Sequence, residues 1–209
     1  MWEVIFMIRK VLILTLAVFF TLSASSWAEQ SPNAPAVDPV TENVTVSGSM
    51  LFFGDSMGNL SAVGNYVQVW SVNYDESSCI GYPAVQDDKV IFSQSTGEIT
   101  CLNTSDGSLL WRYAPSSKES ANEYLNDGAA IGDGRVYAAF TSGELRAFDL
   151  ETGQVLWSYK SEQGLRTAPA YSEGLVLLGE YNGLFSIIDA ETGKRLNGGG
   201  AGGAVNTPS

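Results

Sequence analysis

The chain has 209 residues, 44% of them hydrophobic and 16% charged, a balance that supports a packed core and excludes a low-complexity or disordered chain. Its net charge of −12 disfavours nucleic acid and anionic lipid surfaces, both of which select a basic face. It contains no histidine, which removes Ser-His triads, histidine general bases and histidine metal ligands from consideration.

At the N-terminus, Arg9 and Lys10 precede an apolar run from Val11 to Leu22, followed by Ser26-Trp27-Ala28. This is the pattern of a secretory signal peptide spanning residues 1–28 and cut after Ala28. The 12-residue apolar run falls short of the roughly 20 residues that cross a bilayer. No cysteine lies beside the cut to accept a lipid. The expected product is periplasmic or secreted, with no transmembrane span in the mature chain. Residues 29–43 are rich in proline and polar side chains and read as a flexible lead-in.

From residue 44 the chain repeats. Gly97 to Trp111, Gly143 to Trp157 and Gly183 to Asn197 are three copies of one pattern, and Gly58 to Trp70 is a shorter one. Their leading glycines stand 39, 46 and 40 residues apart, a period that means one structural unit stacked several times. Each unit reads as four short strands divided by turn signals. In the last full copy these are Thr167–Tyr171, Leu175–Gly179, Leu184–Ile188 and Lys194–Asn197, with Asn182-Gly183 as a hairpin signal. The expected units span about 44–72, 80–114, 127–160 and 166–197. Gly198 to Gly203 reads as a flexible connection, and Thr207-Pro208 as the start of a fifth unit at 205–209. Four antiparallel strands repeated at this period predict an all-β fold, a β-propeller with about four blades present, partial or open.

Ala147-Phe-Asp149-Leu-Glu-Thr-Gly153-Gln-Val-Leu-Trp157 resembles the tryptophan-docking motif of the PQQ-like, or quinoprotein-type, β-propeller repeats. That family includes PQQ-dependent alcohol dehydrogenases and the outer-membrane assembly factor BamB. The resemblance covers residues 44–208. It implies that Trp70, Trp111 and Trp157 pack between neighbouring blades against small residues. The small residue at the first motif position, Ala147 or Cys101, admits the indole, and Gly107, Gly153 and Gly193 permit the turn before the fourth strand. Asp149 and Asp189 read as turn-capping carboxylates. Ile187 and Asn197 break the motif in the fourth unit, and the first unit is two residues short before Trp70. Cys79 precedes the first strand of its unit and Cys101 lies on the third, with the second strand between, which argues against a disulfide between them.

The resemblance also implies what a quinone enzyme needs: adjacent cysteines, a free aromatic floor and acidic Ca²⁺ ligands. Cys79 and Cys101 are not adjacent, and the three tryptophans after the signal all hold docking positions. Acidic pairs such as Asp75-Glu76 and Asp87-Asp88 fall in turns or loops, where carboxylates serve local hydrogen bonds. The expectation is therefore no catalytic residue, no cofactor and no metal. The chain reads as a BamB-like scaffold for protein partners in the cell envelope, involved in outer-membrane protein assembly. The alternative is an N-terminal fragment of a PQQ-dependent dehydrogenase. Candidate contact residues are Lys118, Glu119, Glu123 and Tyr124, in the longest insertion. Four blades leave two sheet faces open. Continuation of the chain, or self-association that closes the propeller, is the expected way to cover them.

Overall fold

A computed structural model of the chain describes residues 44–73, 79–115, 125 and 127–200. The signal peptide, the lead-in, Lys118 to Tyr124 and the start of a fifth unit lie outside the described residues.

The regular structure is almost entirely strand, as the repeat predicts. Blade one holds β1 (Val44–Ser47), β2 (Met50–Gly54), β3 (Asn59–Gly64) and β4 (Val67–Asn73). Blade two holds β5 (Cys79–Gln86), β6 (Lys89–Gln94), β7 (Ile99–Asn103) and β8 (Leu109–Tyr113). Blade three holds β9 (Ala130–Gly132), β10 (Arg135–Ala139), β11 (Glu144–Asp149) and β12 (Val155–Lys160). Blade four holds β13 (Ala170–Ser172), β14 (Leu175–Gly179), β15 (Leu184–Asp189) and β16 (Arg195–Gly200). Each sheet is an antiparallel meander in chain order, open at its first and fourth strands. The Asn182-Gly183 signal falls in a single 3₁₀ turn, Tyr181–Gly183, before β15.

One expectation is corrected. Gly198, Gly199 and Gly200 are not a flexible connection: they extend β16 and pair with Ser186, Phe185 and Leu184. Glycine is a weak strand former, but β15 runs on past the point where the motif ends, and its ladder supplies partners to the glycine backbone.

The sheets stack in chain order through their first strands. β1 and β2 lie against β5, β5 against β9, and β9 against β13. The core is three layers between blades rather than one central mass. Phe52, Leu60 and Trp70 meet Val90, Phe92 and Leu102 in the first layer. Ile91, Ile99 and Trp111 meet Val136, Phe140 and Phe148 in the second. Tyr137, Leu145 and Ala147 meet Val176, Leu178 and Ile188 in the third. Strand alternation causes this: odd and even positions of one strand face opposite neighbours, so an inner sheet is apolar on both faces.

Candidate functional site

The third and fourth strands of every blade are paired in one way. The residue at the first motif position is the cross-strand partner of the docking residue: Ala62 of Trp70, Cys101 of Trp111, Ala147 of Trp157 and Ile187 of Asn197. The register slips by one residue directly after this pair in all four blades. The extra residue is Val69, Leu110, Leu156 or Leu196, each between 42% and 50% exposed. Such a bulge twists the strand locally and re-aims the next side chain, here the indole.

The indole does not finish in its own blade. The Nε1–H of Trp70 donates to the Thr104 carbonyl at 2.9 Å, that of Trp111 to Leu150 at 2.8 Å, and that of Trp157 to Ala190 at 3.2 Å. Each acceptor lies in the next blade, at the fourth position of its motif. The same three residues donate their amide N–H to the turn between their own first and second strands: Thr104 to Asp88, Leu150 to Gly134, Ala190 to Gly174. A backbone carbonyl fixed in this way is a rigid target for a buried indole that needs an acceptor.

The glycine at the seventh position does more than turn the chain. Gly107, Gly153 and Gly193 have φ of +72°, +69° and +71°, where a side chain strains the backbone. A Cβ there would lie 2.7, 2.5 and 2.7 Å from the indoles of Trp70, Trp111 and Trp157 respectively. Each tryptophan therefore lies on the glycine of the following blade. Trp70 and Trp111 are buried, and Trp157 is half-buried.

The turn between the third and fourth strands is braced from within. Asp149 Oδ1 accepts from the amide and hydroxyl of Thr152, both at 2.8 Å, and from the Glu151 amide at 3.1 Å. Asp189 Oδ1 accepts from the amide and hydroxyl of Thr192, both at 2.7 Å. The threonine hydroxyl, aided by the backbone amides, holds each carboxyl below its ordinary range. In blade two Asn103 takes the same place and accepts from Ser105. In blade one no such turn exists: Asn65 and Tyr66 form a two-residue hairpin with φ of +48° and +65°.

Cys79 and Cys101 are buried and form no disulfide with each other, on β5 and β7 with β6 between them. Burial pushes the Cys101 thiol up to about 12, so it remains a small neutral packing group under Trp111. Asp88 and Glu151 flank Lys89 at 2.9 and 3.1 Å, raising its ammonium to about 12 and tying blade two to blade three. The buried Arg146 lies over the Phe140 ring, 4.7 Å from its centroid, and donates to Glu144 and the Tyr113 hydroxyl. The buried Glu180 accepts from Ser161 and Ser186 at 3.0 and 2.8 Å. These charges have protein partners. Among the described residues, no group of three or more acidic or cysteine side chains is placed to hold a metal ion. The three indoles among the described residues are all engaged in interblade joints. No helix among them is long and apolar enough to cross a membrane.

The docking residues singled out in the sequence come together across blades rather than within them. Sequence reasoning missed the carbonyls of Thr104, Leu150 and Ala190, for which no residue type is a signal. It also missed Tyr66, for which a signal exists: it stands four residues before Trp70, as Gly107 and Gly153 stand four before theirs.

The family described as outer membrane protein assembly factor BamB matches residues 21–199. No curated protein matches the chain by sequence. Among solved structures, BamB from Moraxella catarrhalis superposes with a TM-score of 0.65 at 17% identity, over 80% of this chain and 51% of that one. The quinohemoprotein alcohol dehydrogenase from Comamonas testosteroni superposes with a TM-score of 0.64 at 17% identity, over 78% of this chain and 35% of that one. A europium-containing methanol dehydrogenase gives 0.66 at 12% identity, over 78% and 42%. The chain thus spans about half the length of the BamB structure it resembles. The repeated strands, the interblade tryptophan joints and the match over residues 21–199 lead to one conclusion: the chain belongs to the BamB family of PQQ-like β-propellers.

Proposed function

We propose that the chain is an exported, non-catalytic propeller scaffold that binds protein partners in the cell envelope. One observation carries this reading. All three tryptophans among the described residues are held in joints between blades, so the motif that quinone enzymes also use serves architecture here. What remains at the surface is a repeated edge. Among the described residues, the fourth strand of each blade is unpaired on one side and exposes Val67 and Val69, Leu109 and Leu110, Val155 and Leu156, or Leu196. Aliphatic edge strands without proline favour addition of an extended peptide from a partner. Lys118, Glu119, Glu123 and Tyr124 are a second candidate surface. The family's description as an outer membrane protein assembly factor supports an envelope partner in that process.

The similarity to two dehydrogenases favours a second reading, a piece of a quinone enzyme. A single pair of measurements separates them. The tagged chain retains a component of the outer-membrane assembly machinery from envelope extracts, and Leu110→Lys with Leu156→Lys reduces that retention. PQQ with Ca²⁺ added to the purified chain gives neither a bound quinone spectrum nor dye reduction. Quinone binding with no retained envelope partner would reverse the order of the two readings.

A further inference from the structure

Among the described residues, two sheet faces have no neighbouring sheet, and they carry the two halves of a joint. On blade four, Leu177, Ile187 and Asn197 form a row where blade three carries Tyr137, Ala147 and Trp157. Blade four covers the blade-three row, leaving Tyr137 at 0% exposure, whereas Leu177 is 47% exposed. On blade one, Leu51, Phe53 and Val63 hold the positions at which Val90, Phe92 and Leu102 are fully buried in blade two. Val46, on the same blade-one face, is 50% exposed.

Apolar faces alone do not name an occupant, but the joint positions on them do. Tyr66 holds the place of the docking glycine, with φ of +65° beside their +69° to +72°. Since even a Cβ at those glycines would meet the indole at 2.5 to 2.7 Å, a blade that presents a tryptophan is excluded from blade one. Blade four presents no tryptophan. A following blade with the usual glycine would leave the volume above Asn197 empty, and such voids destabilise a packed layer. The large and small members of the pair are therefore exchanged between these two faces. Each face rejects or underfills the standard neighbour and complements the other.

We infer that blade four docks on blade one of a second copy of this chain, with Tyr66 of one copy packed over Ile187 and Asn197 of the other. Tyr66 is 77% exposed and Leu177 47% exposed, so the two faces do not cover each other within one chain. A head-to-tail contact closes when its rotation completes a ring, and two copies then share two identical seams.

The test is the mass of the purified chain in solution, by sedimentation equilibrium, with a swap of the two residues. The expected mass is that of two copies. Asn197→Trp sets an indole against Tyr66 and weakens the pair by at least about ten-fold. Adding Tyr66→Gly to that variant rebuilds a tryptophan-on-glycine joint and restores pairing. Tyr66→Gly also relieves the positive-φ tyrosine, so it preserves the hairpin. Leu177→Lys, away from the swapped pair, gives single copies. A single-copy mass for the unaltered chain at micromolar concentration overturns the inference, and so does a paired Leu177→Lys chain. A double variant that pairs no better than Asn197→Trp alone overturns the exchange of Tyr66 and Asn197.

Discussion

Blades three and four carry the same turn chemistry and differ in how they end. Both brace the turn with an aspartate, Asp149 or Asp189, and both place a positive-φ glycine after it. Both bulge at a leucine, Leu156 or Leu196. They part at two paired positions: Ala147 and Trp157 in blade three are Ile187 and Asn197 in blade four. The motif therefore has two separable halves. One builds the blade and is present in both. The other builds the joint, and it is kept where blade three has blade four against it. Burial follows the joint: Tyr137 is fully covered and its counterpart Leu177 is not.

The most damaging way to probe this division is to strike a joint from its acceptor side. Gly153→Val adds a branched side chain at φ +69° and drives Trp111 from its seat. The combined backbone strain and lost indole packing cost about 4 kcal/mol, read as a lower urea midpoint. The Trp111 emission shifts to the red as the indole meets water. A loss below about 1 kcal/mol would mean that the indole has another seat and that the glycine serves only the turn.

A second comparison ranks the joints themselves. Trp111 is buried and bonded at 2.8 Å, whereas Trp157 is half-buried and bonded at 3.2 Å. Trp157→Ala costs about 2 kcal/mol and Trp111→Ala nearer 4 kcal/mol, since the penalty scales with the packing removed. Equal losses would put the weakening toward blade four in doubt.

Much of this architecture was legible in the sequence, for identifiable reasons. Repetition exposed the blades, and the spacing from Asp to Gly to Trp exposed the turns. The direction of docking was hidden, because the indole's partner is 33 to 39 residues away and belongs to another copy of the motif. Its acceptor is a carbonyl, which every residue carries. The run from Gly198 to Gly200 looked like a connection because glycine favours no strand, yet β15 pins it as one. Tyr66 was readable by counting back from Trp70. Its importance appears only once Gly107 and Gly153 are seen beneath indoles of other blades.

The smallest effect tests the half of the motif that belongs to the blade alone. Asp149 is held below the ordinary carboxylate range, first by the Thr152 hydroxyl and also by the Thr152 and Glu151 amides. Its contribution is present above the unfolded-state value of about 3.9 and is lost as pH falls through the lower folded value. Solvent exposure keeps it small: Asp149→Ala lowers stability by about 1 kcal/mol at neutral pH. The gap between variant and parent urea midpoints closes as the pH is taken well below 4. Asp149→Asn, which retains an acceptor oxygen and cannot titrate, recovers part of the loss and removes its pH dependence. Asp189→Ala shifts stability in the same direction and over the same pH range, because Asp189 makes the same bonds to Thr192. A much larger loss for Asp149 than for Asp189 would assign the turn to the joint, and the division between blade-building and joint-building residues would fail at that point.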